Sequence, residues 1–242
     1  MKTKIQVAVV VLLAMVAAVL FHQFYGDSYF SYAGTLDCFE SNLSAEVSGK
    51  ILTIAVREGD LVEKGAVLAT IDDSELKIKM RKAEADYLRQ VRLEKQGAST
   101  PDSLETAKQA RDLLALNIER STLRAPFSGL INTVYGRLGE FTQPGSPIVA
   151  MSNPKEELFA YFYVPHDIVG QLKIGQEVKA TLPEMNNRVF RGRIIKINSQ
   201  AEFTPKNVQT RKERTRLVYG IKVLFPNSDL TLKQGMTVET RF

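Results

Sequence analysis

The feature that most constrains this fold is an internal repeat with a constant offset of 80 residues. Residues 45–71, AEVSGKILTIAVREGDLVEKGAVLATI, align without a gap to residues 125–151, APFSGLINTVYGRLGEFTQPGSPIVAM. Glycines recur at matching positions, and Gly59 and Gly139 are predicted to occupy equivalent tight turns with positive φ. The segments between the glycines alternate in polarity, as short strands do. Because neither half is large enough to bury a core alone, the repeat predicts two halves that pair as a small β-sandwich.

The segment between the two halves, Asp72–Leu123, has a helical period instead. Asp72 and Glu75 have the spacing of a capping box at the start of a first helix. Gln96–Pro101 interrupts the pattern, with Thr100 placed to cap a second helix. The segment therefore predicts an antiparallel hairpin of coiled-coil type, with helices about 30 Å long. The two predicted contact stripes are Leu76, Met80, Ala83, Tyr87 and Val91, and Leu104, Ala107, Arg111, Leu114, Ile118 and Ser121.

Each half of the repeat resembles half of a lipoyl or biotinyl carrier domain. In such domains a lysine on the turn between the halves carries the cofactor, but here the helical hairpin occupies the place of that turn. Lys79 followed by Met80 has the residue types of a biotinyl site, yet both lie inside the first predicted helix. The sandwich is therefore predicted to serve as a mount for the hairpin. A biotin or lipoate carrier subunit of a membrane enzyme is an alternative function.

The N-terminal segment is the second strong constraint. Ile5–Phe21 contains no charged residue, and Lys2 and Lys4 precede it. Its length is near the lower limit of about 17–25 residues for a membrane-spanning helix, and no well-placed cleavage site follows. Residues 1–25 are predicted to form an uncleaved single-pass anchor with a cytoplasmic N-terminus, which leaves the bulk of the chain on the far side. A cleaved signal peptide is the alternative.

The C-terminal part, from Glu157 onward, reads as five or six short strands. Leu172–Gly175 and Leu232–Gly235 are similar turns placed before strands. Strands of this number and length suggest a small closed β-barrel. The fold class is therefore mainly β with an α-helical hairpin. The predicted parts are an N-terminal transmembrane anchor (1–25), a linker with the first strand (26–43), a lipoyl-like β-sandwich (44–72 with 122–152), the hairpin (73–121) and the barrel (153–242).

The composition argues against enzymatic chemistry. Cys38 is the single cysteine, so no internal disulfide can form. It is expected as an unreactive thiol on a strand, with an exposed reactive thiol as the alternative. The two histidines stand far apart, and neither a nucleophile elbow nor a Walker-type loop is present. The formal net charge of +5 is too modest to indicate nucleic-acid binding. No catalytic residue, cofactor or metal site is predicted, and without a Walker-type loop the chain is not expected to hydrolyse nucleotide.

This arrangement resembles the HlyD-type membrane fusion proteins, the periplasmic adaptors of Gram-negative efflux and secretion systems. STLRAPFSGLI (121–131) is similar to the beginning of the family's second lipoyl half, and YLRQVRLEKQGASTPDSLETA (87–107) is similar to its hairpin tip. The family's tip pattern is an arginine, a leucine four residues later and a serine seven after that. Here these positions are Arg89, Leu93 and Thr100, with threonine in place of serine. The resemblance implies that these residues contact a TolC-like outer-membrane channel.

Taken alone, the tip residues allow a plainer interpretation. Thr100 would cap a helix whether or not it meets a partner. Leu93 would close the end of the hairpin, and Arg89 would be a solvated charge. The hairpin is also short, so a periplasmic accessory protein whose hairpin binds a partner other than a channel is a further alternative.

The C-terminal part supplies the remaining partner predictions. Residues 201–223 resemble the version of the barrel found in adaptors of ABC transporters, which implies an inner-membrane permease and ATPase as partners. The family also implies a ring of six copies. A basic cluster is predicted either to contact the transporter or anionic lipid, or to be a solvated loop. The cluster consists of Lys206, Arg211, Lys212, Arg214 and Arg216.

Overall fold

The computed structural model of the protein describes residues 31–203 and 217–242. The predicted anchor and the predicted basic cluster therefore lie outside the described residues. None of the described helices has the length and apolar character needed to cross a membrane. The chain divides into two compact units, which are Leu36–Phe159 with Phe225–Gly235, and Met1–Thr35 with Ala160–Leu224 and Met236–Phe242.

Strands dominate the described residues. In chain order they are β1 (Tyr32–Cys38), β2 (Glu40–Ser44), β3 (Gly49–Ile54), β4 (Leu61–Val62), β5 (Val67–Ile71), β6 (Thr122–Arg124), β7 (Gly129–Val134), β8 (Phe141–Thr142), β9 (Pro147–Ser152), β10 (Leu158–Val164), β11 (Glu177–Leu182), β12 (Arg188–Ile197), β13 (Glu202–Phe203), β14 (Leu217–Leu224) and β15 (Thr237–Thr240). The described helices are α1 (Ser74–Lys95), α2 (Pro101–Arg120) and α3 (His166–Val169).

The repeat folds as a sandwich of two four-stranded sheets. Their strand orders are β2-β9-β7-β4 and β6-β5-β3-β8, so each half of the repeat contributes strands to both sheets. The turn of each half donates to the other half: Gly59 N–H donates to Ile131 O (2.8 Å), and Gly139 N–H donates to Ile51 O (2.9 Å). These two hydrogen bonds are equivalent under the offset of 80. The predicted pairing of the halves is confirmed, and it is reciprocal.

The core of the sandwich follows the same symmetry. Three pairs of residues related by the offset are almost completely buried. Because both halves supply the same positions, neither can close the core alone. Full burial of each side chain contributes about 1.5–3 kcal/mol to the stability of the fold. The pairs are Ile51 with Ile131, Leu68 with Ile148, and Ile71 with Met151.

The hairpin leaves the sandwich from two neighbouring strands. Thr70 of β5 is paired with Thr122 of β6, and Ile71 N–H donates to Ser121 O at 2.8 Å. The two ends of the α1–α2 segment are therefore held side by side. This confirms the predicted hairpin and its attachment to both halves of the repeat.

The predicted capping box at the start of α1 is wrong. The helix begins at Ser74, and Asp73 takes the N-cap position without a side-chain cap bond. Asp72 Oδ1 instead accepts hydrogen bonds from Ser74 N–H (3.0 Å) and Ser74 Oγ–H (2.6 Å). Glu75 is engaged by Lys79, with 2.6 Å between Nζ and Oε1. Asp72 lies one residue too early to cap the helix and closes a local Asx-type turn.

The second unit contains a closed β-barrel. Its sheet has the order β10-β1-β15-β11-β12-β14-β13, and a further pairing between β10 and β14 closes six strands into a ring. The predicted C-terminal barrel is confirmed. One of its strands comes from the N-terminal side of the sandwich, since Tyr32 is paired with Thr240 and Thr35 with Thr237. The sequence pattern had indicated a linker with a first strand there and had not indicated its partner.

Candidate partner-binding site at the hairpin tip

The two long helices pack on each other along the predicted stripes. Every stripe residue within α1 and α2 is half-buried, and neither helix contains a fully buried residue. The seam is therefore a contact between these two helices alone within the described residues, and their outward faces are solvent-exposed. The hairpin is held by its own contacts along most of its length.

A cation lies in the middle of this seam. The Arg111 guanidinium lies 4.1 Å from the centroid of the Tyr87 ring, a half-buried cation–π contact worth about 0.5–2 kcal/mol. Its Nη2 is 2.7 Å from Asp112 Oδ1, and its Nε is 3.9 Å from Glu84 Oε2. The hydrogen bonds to Asp112 raise the pKa of Arg111, and its contacts with Tyr87 and Glu84 join the helices.

The tip itself is a tight turn after α1. Gly97 adopts a φ of 69°, and the N–H groups of Gln96 and Ala98 both donate to Leu93 O, at 3.1 and 2.8 Å. Such bonds satisfy carbonyls that the helix end would otherwise leave free. The last turn of α1 is therefore well defined up to the point where the chain reverses.

The start of α2 is capped as predicted. Thr100 is extended, with φ −89° and ψ 150°, and its Oγ1 accepts a hydrogen bond from Ser103 N–H at 3.2 Å. Ser99 Oγ–H donates to Gln90 Oε1 at 2.8 Å, which ties the loop back to α1. The Thr100 hydroxyl is thus used locally, and its second bond, also to Ser103, is 2.8 Å long.

Arg89 and Leu93 lie on consecutive turns of α1, next to this loop. The Arg89 side chain is exposed, and its Nη2 is 2.9 Å from Asp86 Oδ1 one turn earlier. An exposed pair of this kind contributes about 0–1 kcal/mol, so a partner could readily replace Asp86. Leu93 is half-buried. The structure therefore places Arg89, Leu93 and Thr100 at one end of the hairpin.

The structure adds a residue to the tip that the sequence patterns did not single out. Leu88 is an exposed apolar side chain directly before Arg89. The available signal was its position outside the stripe that runs through Tyr87 and Val91. Ile78, Leu113 and Leu116 are also exposed on α1 and α2, and single exposed apolar side chains are ordinary, so Leu88 by itself indicates no partner.

The remaining chemistry candidates stay isolated. Lys79 lies within α1, paired with Glu75, and not on a turn between the two halves. Cys38 is buried at the end of β1, and burial raises the pKa of its thiol, with a smaller contribution from the charge of Glu157. Its thiol therefore stays protonated, as expected of an unreactive cysteine. Within residues 31–203 and 217–242, no three metal-ligating side chains come together.

Two family models match the two units of this fold. The barrel-sandwich hybrid domain of RND membrane fusion proteins matches residues 40–151, and the CusB-like β-barrel domain matches residues 160–242. Only 1–39 and 152–159 lie outside these matches. The chain belongs to the membrane fusion protein family. This membrane fusion protein is a non-enzymatic periplasmic adaptor of the kind that serves efflux systems.

Curated relatives of this membrane fusion protein cover all or nearly all of its length. A UPF0194 membrane protein of Yersinia enterocolitica is 26% identical, covering 100% of this chain and 98% of the relative. A UPF0194 membrane protein of an Enterobacter species is 24% identical, covering 97% and 95%. The first alignment has 325 positions against 242 residues here, so at least 83 positions have no counterpart in this chain.

Solved structures of similar proteins establish the same fold. A putative efflux transporter from Bacteroides eggerthii is 22% identical, with a TM-score of 0.64 over 87% of this chain and 67% of that one. A MacA–MexA chimera that carries the α-hairpin of Pseudomonas aeruginosa MexA is 19% identical. Its TM-score is 0.69, over 87% of this chain and 79% of the chimera.

Proposed function

We propose that this adaptor is held in the inner membrane of a Gram-negative bacterium and links an exporter there to a TolC-like outer-membrane channel. The observation that carries the proposal is the hairpin tip. Arg89, Leu93 and Thr100 lie together at the end of a helical pair that has no other covering in the described chain. A helical channel met end-on would offer carbonyl and carboxylate acceptors to the Arg89 guanidinium, a planar donor suited to two acceptors at once.

The proposed organisation places one function in each part of the chain. The anchor fixes the adaptor to the inner membrane, the sandwich mounts the hairpin, and the barrel faces the exporter. A ring of six copies would surround the transport path. The proposed parts are the anchor (1–25), the linker and first strand (26–43), the sandwich (44–72 with 122–152), the hairpin (73–121) and the barrel (153–242).

The exporter is proposed to be an ABC transporter with a separate permease and ATPase. The support is the resemblance of residues 201–223 to the barrels of ABC-associated adaptors, together with the likeness to a MacA-based chimera. The matched domain models are those of RND adaptors, which favours an RND pump as the second candidate. The basic residues of 206–216 are proposed to contact the exporter or anionic headgroups.

Charge reversal at the tip tests the proposed channel contact. Arg89→Asp should abolish export, because it replaces the proposed donors with a repelled carboxylate, while the protein stays folded and membrane-bound. Lys82→Asp is the matched control, since it makes the same charge change on an exposed part of α1 away from the tip. Asp86→Asn should be tolerated, because it only releases Arg89 from its present partner.

A second substitution separates capping from docking at Thr100. Thr100→Asp keeps a cap acceptor for Ser103 N–H but places a charge at the proposed contact. Export should fail although the melting temperature is kept. Normal export with both Arg89→Asp and Thr100→Asp, in cells where deletion of the gene stops export, would exclude the tip as the docking site.

An accessory protein without a channel partner is the second candidate function. The observation that favours it is that the hairpin is short. Its helices of 22 and 20 residues are only about 33 and 30 Å long. Site-specific photocrosslinking from position 89 in cells distinguishes the two functions. An outer-membrane channel in the crosslinked product supports the first, and a soluble periplasmic protein supports the second.

A further inference from the structure

The direction of the barrel strands places several chain segments at one end of the barrel. β1 runs antiparallel to β15, β15 to β11, β11 to β12 and β12 to β14. The first residues of β1, β11 and β14 therefore lie at the same end as the last residues of β12 and β15. We call this the β1 end of the barrel. Tyr32 begins β1 here, and Asp167 of α3 lies close enough for its charge to act on the Tyr32 hydroxyl.

Three large apolar side chains are exposed at the β1 end. Ile174, in the turn before β11, is 69% exposed. Phe203 is paired with Leu217, the first residue of β14, and the two side chains are 73% and 55% exposed. Lys173, directly before Ile174, and Lys196, near the end of β12, are exposed, as are Glu177 at the start of β11 and Glu202 directly before Phe203. The charges at this end therefore have both signs, and the exposed apolar side chains are the feature that favours an interface with lipid.

The length of the preceding chain limits where this end can lie. Residues 1–25 are the proposed anchor, and Ser31 is the first described residue. Six residues of fully extended chain reach at most about 20 Å. The β1 end, which Tyr32 enters, is therefore the end of the barrel that the anchor holds near the bilayer. This step rests on the anchor of the proposed function.

We propose that the β1 end of the barrel docks on the membrane that holds the anchor, with Ile174, Phe203 and Leu217 inserted among the lipid headgroups. At this depth, about 5–10 Å into the interface, the side chains leave water and contact the boundary between headgroups and acyl chains. Lys173 and Lys196 would remain at the level of the phosphates, with their aliphatic stems along the apolar groups. The barrel would then be held by two attachments, which fixes its orientation on the membrane.

The absence of tryptophan from the sequence allows a direct test. Phe203→Trp in the full-length protein creates a single fluorophore at the β1 end. Val189→Trp is the control, because Val189 is an exposed apolar residue of the barrel (55%) but is the second residue of β12, at the opposite end. Both proteins are reconstituted in vesicles of phosphatidylethanolamine and phosphatidylglycerol, with and without lipids brominated on the acyl chains. The emission at position 203 should shift to the blue and be quenched by the brominated lipids, whereas that at position 189 should not.

A third variant keeps this proposal distinct from the anchor. Leu13→Trp reports on the anchor alone. Quenching at position 13 without quenching at position 203 would overturn the docking and leave the anchor standing, and the apolar residues would then face a protein. Quenching at neither position would overturn both. Quenching at position 203 without position 13 would show lipid contact of the β1 end but would overturn the anchored docking proposed here, because the anchor would be excluded. Ile174→Trp should behave as position 203 does.

Discussion

At the scale of the residue, the glycines of the repeat are required by backbone conformation and not by crowding. Gly59 and Gly139 have φ values of 90° and 85°, as predicted for equivalent turns. A Cβ at Gly59 would meet no atom within 4 Å, and at Gly139 it would lie 3.5 Å from Lys50 Cε. Any loss of stability on substitution therefore comes from the positive φ of the backbone, which disfavours residues other than glycine.

The first prediction concerns these two turns. Gly59→Val and Gly139→Val should each lower the free energy of unfolding by about 1–3 kcal/mol, because a β-branched residue is strained at positive φ. Chemical denaturation measures the change. Gly170→Ala is the control, since Gly170 has a φ of −63° and a Cβ there would lie 3.8 Å from its nearest neighbour, His166 O. Unchanged stability of both valine variants would contradict the conformational requirement.

The second prediction concerns the pKa of Asp72. Hydrogen bonds from the Ser74 hydroxyl and then from the Ser74 N–H lower this pKa. Ser74→Ala should raise it towards the ordinary aspartate value, which carboxyl NMR titration measures. A lowered pKa in the folded state stabilises the fold above the ordinary aspartate pKa, and this stabilisation is lost as the pH falls through the lowered value. Lys79→Ala should raise the pKa of Glu75 and leave that of Asp72 in place.

At the scale of the element, the hairpin behaves as an insertion into a strand pair. β5 and β6 are joined in one sheet, and the ends of the hairpin meet where Ile71 N–H donates to Ser121 O. The core residues of the sandwich come from both sides of the insertion and none from α1 or α2. The sandwich should therefore not need the helices in order to fold.

The third prediction follows from that attachment. Replacing residues 74–121 by a short Gly/Ser loop should leave a soluble protein with a cooperative thermal transition, because closing a short flexible loop between adjacent strands costs little. Circular dichroism should show loss of helix with the β signal kept. An insoluble product without a cooperative transition would show that the sandwich depends on the hairpin.

At the scale of the whole molecule, the barrel is completed by a strand distant in sequence. Residues 32–35 are paired with β15, and Gly34 is buried in this strand. A Cβ at Gly34 would lie 2.6 Å from Tyr161 O and 3.0 Å from the Phe162 ring. The N-terminal segment thus fits against β10 closely enough to exclude any side chain.

The fourth prediction tests this closure. Gly34→Val should lower the free energy of unfolding by about 1–3 kcal/mol through overpacking. Thr35→Val, one residue later on the exposed face of the same strand, should have little effect. Equal melting temperatures for the two variants would indicate that residues 32–35 are a linker and not a strand of the barrel.

The sequence alone determined the features that depend on local periodicity. The offset of 80 places Gly59 and Gly139 in equivalent turns, and the helical stripes identify the seam through Tyr87 and Arg111. These patterns are readable because each residue's environment is set by the face of its own helix or strand. The tip residues Arg89 and Thr100 were found through the family's pattern, and their contact with a channel stays a prediction.

Only the tertiary structure decided which strands are neighbours. The sequence indicates a first strand within residues 26–43 without its bounds, and the hydrogen bonds of a sheet are made by backbone groups that all residues share. Nothing in that pattern indicates β15 as the partner. The pairing of Arg89 with Asp86 and the bonds of Asp72 with Ser74 are local, but the sequence pattern did not show which of the available local bonds forms. Partner choice is settled by closure of the barrel and burial of its core, which are properties of the whole chain.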